Sequence, residues 1–129
     1  MKAKHFQKGV DQLAQEGAIQ VYRNSFNDVI LGAVGQLQFE VFEHRLKSEY
    51  NCDVRMESLD YCVARWVDLK EGQDIADYAA PRTMAVYDRF ERPLILFANN
   101  YTLNNFTEKH ENLKLVEALD VDNVITVKQ

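Results

Sequence analysis

Two closely spaced glycines precede a helical pattern, and a turn of this kind can bind an anion. Gly32 and Gly35 lie just before segment 36–50, in which apolar residues recur at helical spacing. Glycines let backbone N–H groups approach a phosphate at the positive end of a helix. A phosphate loop would continue with Gly-Lys-Ser/Thr and a dinucleotide turn with a third glycine, whereas Gln36 and Leu37 follow here. A tight turn that lets a helix pack closely on a sheet therefore explains Gly32 and Gly35 better than an anion site or a Gly-x-x-Gly clamp on RNA.

Side chains that bind metals or act as nucleophiles are scattered along the chain. His5, His44 and His110 lie in three different segments, and Cys52 and Cys62 do not form a CxxC pair. Zinc sites and redox centres need such ligands at close spacing. The GxSxG turn of the serine hydrolases is also absent. We therefore expect no catalytic centre, no metal, no cofactor and no disulfide.

Two aromatic residues allow both a functional and a structural interpretation. Trp66 and Tyr61 could stack nucleic-acid bases, as aromatic side chains do on the sheets of some RNA-binding domains. The aromatic-rich motifs of those domains are absent from the chain. Packing of both rings in a core is the favoured interpretation.

Composition places the chain among folded proteins of moderate size. It has 129 residues, of which 47% are hydrophobic, and a net charge of −5. This charge argues against binding nucleic acid by bulk electrostatics, although a local basic face is compatible with it. The sequence has neither an apolar run long enough to span a bilayer nor the apolar core of a signal peptide, so we expect no membrane partner and a cytoplasmic protein.

The first half of the chain predicts an α/β unit built around the glycine turn. Segment 29–34 reads as a strand that leads into an amphipathic helix over 36–50. A helix over 3–16 and strands over 18–23 and 54–58 complete the pattern. The predicted buried stripe of the second helix consists of Leu37, Phe39, Val41, Phe42, Leu46 and Tyr50.

The second half predicts a complete βαββαβ unit. Its elements are a strand over 61–67, a helix over 71–80, a hairpin over 83–90 and 93–98, a helix over 101–110 and a strand over 113–119. The first half has the same order without a leading strand. The predicted fold class is therefore α+β, with two ferredoxin-like halves at 1–60 and 61–119.

The missing leading strand leads to two further expectations. We expect a chain that has been shortened at its N-terminus and that self-associates through a bare sheet edge. Residues 120–129 form a tail in which Val124, Ile125 and Val127 could add an edge strand.

Several motifs resemble one protein family. The segments in question are KGVDQLAQEGAIQVYR, VILGAVGQLQFEVFEHRLKSEYNCDVRMES and ARWV. They resemble the C-terminal domain of the bacterial class II peptide-chain release factors, which are called peptide chain release factor three and belong to the translational GTPase family. The resemblance is strong over 6–67 and looser up to residue 119. The same pattern is similar to the third domain of elongation factor G, where a GELH-type turn replaces GAVGQLQ.

The resemblance implies a role in translation termination. The whole factor uses GTP, held with Mg in its G domain, to release class I release factors from the ribosome. This chain has neither a P-loop nor the Gly-Gly-Gln tripeptide of the class I factors. It is therefore expected to be a non-catalytic domain that touches ribosomal RNA and protein, packs against the G domain and the β-barrel domain of its parent, and meets the class I factor only indirectly.

The same resemblance makes the basic side chains candidate ribosome contacts, since phosphate groups dominate the surface of RNA. The candidates are Arg23, Arg45, Lys47, Arg55 and Arg65. Two other functions fit a ferredoxin-like fold. One is a regulatory module that binds a small molecule, and the other is an acylphosphatase-type enzyme, which would need an arginine and asparagine anion site.

Overall fold

Eight strands form one antiparallel sheet in the computed structural model, which describes residues 2–17, 19–118 and 123–128. The strand order is β3-β8-β2-β1-β5-β6-β4-β7. Positions 18 and 119, at the ends of two predicted strands, and 120–122 and 129 of the predicted tail lie outside the described residues. The elements are α1 (Lys2–Gly17), β1 (Gln20–Arg23), β2 (Val29–Ala33), α2 (Leu37–Tyr50), β3 (Arg55–Leu59), β4 (Val63–Asp68), β5 (Thr83–Asp88), β6 (Pro93–Phe97), α3 (Asn100–Lys109), β7 (Lys114–Glu117) and β8 (Asn123–Lys128).

The α+β class is confirmed, and the strand order shows how the two parts of the sheet are related. The elements β4 to β7 lie in the order β5-β6-β4-β7, in which the second hairpin strand pairs with the first strand of the unit. In the other part of the sheet the strand order is the mirror image of this one. There β1, β2 and β3 take the places that β5, β6 and β7 have in the second part. The two parts meet where β1 pairs with β5.

Strand β8 occupies the place that a leading strand of the first part would take. It pairs with β2 and with β3 through five residue pairs each. Four consecutive β8 residues, Val124, Ile125, Thr126 and Val127, are buried, as in a strand that is covered on both faces. The prediction that this segment adds an edge strand is therefore wrong, because β8 lies inside the sheet. The predicted bare edge is wrong for the same reason.

The sheet is folded over, so that its helix-free face becomes a core. Tyr22 and Ile30 from one part share a buried cluster with Val86 and Leu96 from the other. These residues alternate along their strands with residues that face the helices. Since they are at most 3% exposed, the helix-free faces of the two parts must pack on each other.

The two long helices cover the outer face of the first part and cross at a glycine. A Cβ atom added at Gly9 of α1 would lie 2.9 Å from Leu46 Cδ2 and 2.9 Å from Tyr50 Cγ of α2. This close approach brings both helices onto one core with Phe6, Val10, Leu13, Val29, Leu31, Phe39, Phe42, Ile125 and Val127. The outer core of the second part contains Val63, Val67, Ile75, Ile95, Phe97, Phe106 and Leu113.

The buried stripe of α2 is narrower than predicted. Phe39, Phe42 and Leu46 are buried, at the i, i+3, i+7 spacing of a single helix face. Leu37 is 69% exposed and Val41 52% exposed, so their assignment to the core is wrong. The reason is that the sheet and α1 cover only one side of α2.

The helix predicted over 71–80 is reduced to a single 3-10 turn at Ile75–Tyr78. Gly72 has a φ of 86°, a conformation that a right-handed helix does not contain. Asp74 caps the turn by accepting a hydrogen bond from the Ala76 N–H at 3.0 Å. Only Ile75 of this turn is buried, so little apolar surface was available to stabilise a longer helix.

Candidate functional site

The turn between β5 and β6 is held closed by one carboxylate. Asp88 Oδ1 accepts hydrogen bonds from the backbone N–H groups of Phe90 and Arg92, both at 2.9 Å. Its Oδ2 accepts from Arg92 Nε at 2.8 Å and from Trp66 Nε1 at 3.3 Å. The Asp88 side chain is only 11% exposed, so a single acidic group with four donors fixes both the turn and the side chain of Arg92.

The same turn stacks cations and aromatic rings alternately. The guanidinium carbon of Arg92 lies 4.6 Å from the centroid of the Trp66 ring and 5.2 Å from that of Phe90. The guanidinium carbon of Arg89 lies 4.9 Å from the Phe90 centroid. These distances are within the range of attractive cation–π contacts. Phe90 is nonetheless 63% exposed. We call Trp66, Arg89, Phe90 and Arg92 the arginine–aromatic cluster.

Tyr22 lies beneath this cluster, on the strand that joins the two parts of the sheet. It is the cross-strand partner of Asp88. Burial, and to a smaller extent the charge of Asp88, raises the pKa of Tyr22 to about 12. The hydroxyl group therefore stays protonated at neutral pH and cannot act there as a base.

The cluster forms one wall of an open cleft of about 1160 Å³ between the two parts of the molecule. The opposite wall is made by α1 and β1, where Arg23 donates a hydrogen bond to Gln7 Oε1. Gln7 in turn donates to Asp11 at 2.9 Å. The side chains that line this cleft do not form a nucleophile with a base.

The structure does not bring the five predicted ribosome contacts together. They lie on β1, α2, β3 and β4. Strand β3 is one outer strand of the sheet, whereas β4 lies between β6 and β7 near the opposite edge. Of the five, only Arg23 lines the cleft. The candidates are Arg23, Arg45, Lys47, Arg55 and Arg65.

Arg45 is engaged within the molecule. Its guanidinium group contacts Glu16 Oε2 at 2.7 Å and Glu49 Oε2 at 2.5 Å, so it links α2 to α1. The hydrogen bonds that Arg45 donates to Glu49 and, with a smaller effect, to Glu16 raise the pKa of Arg45, and the bond to Glu49 lowers the pKa of Glu49. A residue with two internal carboxylate partners is a weaker candidate for a phosphate contact than the sequence indicated.

The other three candidates have different environments. Lys47 is exposed and lies 3.4 Å from Asp53. Arg55 is exposed on the outer strand β3, opposite Lys128, which places two cations side by side at that edge. Arg65 is half-buried on β4 and donates to the Ala64 carbonyl at 2.8 Å, among other contacts.

The two predicted turn glycines also differ from each other in the structure. Gly32 lies inside strand β2 and not in the turn. Gly35 lies in the connection to α2, where an added Cβ atom would meet nothing within 4 Å and where φ is not in the left-handed region. A requirement for glycine at position 35 is therefore not supported. The close approach of backbone and side chains occurs instead at Gly9.

A second exposed surface lies at the start of α2. Val34, Leu37 and Val41 are 67%, 69% and 52% exposed, respectively. Leu37 and Val41 are one helical turn apart and lie on the same side of α2. We call these three residues the α2 apolar patch. Large exposed apolar patches are typical of interaction sites, whereas single exposed apolar residues are ordinary.

Sequence reasoning missed Phe90. It treated the turn as polar because Asp88, Arg89, Glu91 and Arg92 are charged. The available signal was a large aromatic residue in the middle of a charged turn, where no core can cover it. Trp66, which was expected in a core, is partly buried and packs against the buried cluster on the helix-free face of the sheet.

The described part of the chain contains neither a membrane-spanning helix nor a group of metal ligands. Within it, no helix combines the length and apolarity that a membrane span requires. Within the same residues, His, Cys, Asp and Glu side chains do not form a group of three or more that could hold a metal ion.

Comparison with known proteins points to one family. The profile described as "Class II release factor RF3, C-terminal domain" matches residues 1–107. Proteins named peptide chain release factor 3 from Listeria welshimeri and Staphylococcus carnosus are 49% identical over 120 residues and 51% identical over 121 residues, respectively. The protein of that name from Macrococcus caseolyticus is 50% identical over 121 residues. Each alignment covers 92% of this chain and 23% of the relative, so the chain spans about a quarter of the length of these relatives.

Proposed function

Because this chain belongs to the family of class II release factor C-terminal domains, we propose that it contacts the ribosome as one domain of a longer factor. That factor uses GTP to release class I release factors from the ribosome in translation termination. The observation that carries the proposal is the match at about 50% identity along 92% of the chain. The alternative, a small-molecule regulatory module, is not favoured by these similarities.

In this proposal the domain has no enzymatic activity of its own. It contacts ribosomal RNA and protein, while GTP and Mg bind to the G domain of the parent and the class I factor is affected only indirectly. The cleft supports a domain without enzymatic activity, because its polar groups hydrogen-bond to one another, as Arg92 does to Asp88. The proposed location is the cytoplasm, where ribosomes are.

The α2 apolar patch supports a second contact, with the upstream domains of the parent. The chain spans only a quarter of the length of its relatives, so the proposed parent contains surfaces that are not part of this chain. Covering Val34, Leu37 and Val41 would remove apolar area from water at about 25 cal/mol per Å². We propose that the G domain or the β-barrel domain packs on this patch.

Sedimentation with purified ribosomes tests the main proposal. The isolated chain should pellet with ribosomes, and its affinity should fall as the salt concentration rises, since contacts with phosphates release counterions. The ribosome affinity of a variant with Arg55→Glu and Lys128→Glu at the β3 edge is compared with that of a Lys47→Glu variant. The partner of Lys47, Asp53, lies 3.4 Å from it. If the chain stays in the supernatant at low salt, the proposal is wrong.

The chain should not bind guanine nucleotides, because it lacks the phosphate loop that holds them. Calorimetric titration with a non-hydrolysable GTP analogue and Mg should give no heat of binding. The positive control is a parent factor that contains the G domain. A dissociation constant in the micromolar range for the isolated chain would contradict the proposed division of roles.

A further inference from the structure

We propose that the arginine–aromatic cluster is a stacking site for one unpaired base of RNA, and that Phe90 supplies the ring against which the base packs. The inference rests on the proposed ribosome contact and names the chemistry of one part of it. Arg89 would move from the ring to the phosphate next to the stacked base. The occupant is therefore a single-stranded nucleotide, in a loop or bulge and not in a duplex.

The turn between β5 and β6 is closed by its own backbone hydrogen bonds. The Asp88 N–H donates to the Arg92 carbonyl at 3.0 Å, and the Glu91 N–H donates to the Asp88 carbonyl at 2.9 Å. Glu91 has a φ of 62°, which closes the turn in the left-handed conformation that such hairpins use. A ring on a turn that is already ordered loses little conformational entropy on binding.

The Phe90 ring remains largely exposed in this closed turn. Leaving a large apolar ring 63% exposed costs hydrophobic free energy that packing would recover. Arg92 is fixed by its ion pair with Asp88 and lies over the Trp66 ring, so it forms the inner layer of the stack. The outer layer is Phe90 with Arg89.

The two arginines of the cluster have different partners. Arg92 has a carboxylate partner at 2.8 Å. Among the described residues, Arg89 forms no ion pair, and its contact is with the Phe90 ring. Arg89 can therefore leave the ring for a phosphate oxygen without breaking a salt bridge within the described part of the chain. Aromatic rings and guanidinium planes are the groups on which proteins stack unpaired bases.

Size and surroundings favour a base over a protein surface. A protein contact of ordinary size buries about 800 Å² on each partner, with its key side chain surrounded by residues that exclude water. Phe90 is instead flanked by Arg89, Glu91 and Arg92, which are all exposed and charged. One ring with charged neighbours matches a single base with its phosphate.

The charge balance of the turn gives the binding a recognisable salt dependence. Two acidic residues, Asp88 and Glu91, accompany two basic residues, Arg89 and Arg92. Stacking does not release counterions, and within the arginine–aromatic cluster Arg89 is the cation that has no carboxylate partner among the described residues. We expect a slope of log affinity against log salt of about −0.7, the value for a single contact with a single strand.

The test uses Trp66, the only tryptophan in the chain, as a fluorescent reporter next to the site. The wild-type chain is titrated with an unstructured decauridylate RNA. Phe90→Ala should weaken binding by about 5- to 150-fold, the range for loss of one stacked base. Phe90→Tyr, which keeps the ring, should bind like the wild type. Equal urea midpoints for the three proteins exclude a loss of fold.

A parallel titration with ribosomes separates this inference from the proposed function. If the wild type binds ribosomes and Phe90→Ala binds them equally well, the stacking site is wrong and the ribosome contact stands. If Phe90→Ala weakens ribosome binding while the wild type does not bind the decauridylate, the cluster contacts a ribosomal protein and the inference is overturned. If ribosome binding is absent, a difference between Phe90→Ala and Phe90→Tyr on the RNA still supports the stacking site, and equal affinities overturn it.

Discussion

Tyr22 shows how one buried phenol makes the stability of the fold depend on pH. Its pKa is about 12 in the folded chain, compared with an ordinary value of 10.0. Between these two pH values the unfolded chain releases the phenolic proton while the folded chain keeps it. The stabilising contribution is therefore complete below pH 10 and is lost as the pH rises toward 12.

We expect the free energy of unfolding of the wild type to fall in this range by up to about 3 kcal/mol more than that of Tyr22→Phe. Urea unfolding at several pH values, followed by circular dichroism, measures the difference. The Phe variant keeps the ring but has no proton to lose. Parallel curves for the two proteins would show that Tyr22 does not titrate differently in the folded and unfolded chains.

Glycine matters at the helix crossing. Gly9→Val would place methyl groups against Leu46 and Tyr50, where even a Cβ atom would lie at 2.9 Å. Overpacking of this kind costs about 1 to 3 kcal/mol. Gly35→Val is the matched control, since a Cβ atom there meets nothing, and we expect a change of about 0.5 kcal/mol or less. Comparable losses of urea midpoint in both variants would contradict this assignment.

At the scale of elements, α2 shows what periodicity can and cannot determine. Its apolar pattern correctly identified a helix and placed Phe39, Phe42 and Leu46 in the core. The pattern could not show that only one side of the helix is covered, because this depends on where α1 and the sheet lie. Leu37 and Val41 were therefore assigned to the wrong environment.

Two substitutions on α2 test its orientation. Phe42→Ala should destabilise the fold by about 3 to 5 kcal/mol, because Phe42 is 3% exposed and its loss leaves a cavity. Val41→Ala, at a position 52% exposed, should change stability by about 0.5 kcal/mol or less. Urea midpoints of both variants provide the measurement. A large loss for Val41→Ala would mean that α2 is rotated relative to the sheet.

Strand existence was easier to predict than strand position. The apolar residues at 124, 125 and 127 indicated a strand, but their pattern says nothing about which strands lie beside it. The pairing of β8 with β2 and β3 joins residues far apart in the sequence, and local patterns carry no information on such contacts. The candidate site was hidden for the same reason, because Trp66 and Arg92 meet only after β4 pairs with β6, the strand that follows Arg92.

At the scale of the whole molecule, β8 fills the place between β2 and β3. The bare edge through which self-association was expected is therefore closed. The outer strands β3 and β7 carry charged side chains such as Arg55, Glu57, Lys114 and Glu117, which oppose edge-to-edge pairing. We therefore expect the chain to be monomeric in sedimentation-velocity experiments at high concentration.

The matched variant for this prediction is a chain that ends at residue 118. Without β8, the pairing edges of β2 and β3 are open, and Val124, Ile125 and Val127 are missing from the cores. This variant should lose cooperative unfolding and associate as its concentration rises. If it stays folded and monomeric, β8 is dispensable for closing the sheet.

The position of β8 also determines the order in which the two parts of the sheet can fold during synthesis. Chains leave the ribosome from their N-terminus and domains fold as they emerge. Strands β4 to β7 are all available before β8 emerges. Strand β2 can pair with β1 early, but its second neighbour is β8, where the Thr126 hydroxyl group donates to the Val29 carbonyl across 97 positions of sequence. Contacts between such distant residues form slowly because the intervening loop must close first. The part that is synthesised first is therefore the part that is completed last, and until then α1 and α2 cover a sheet with an open place for a strand.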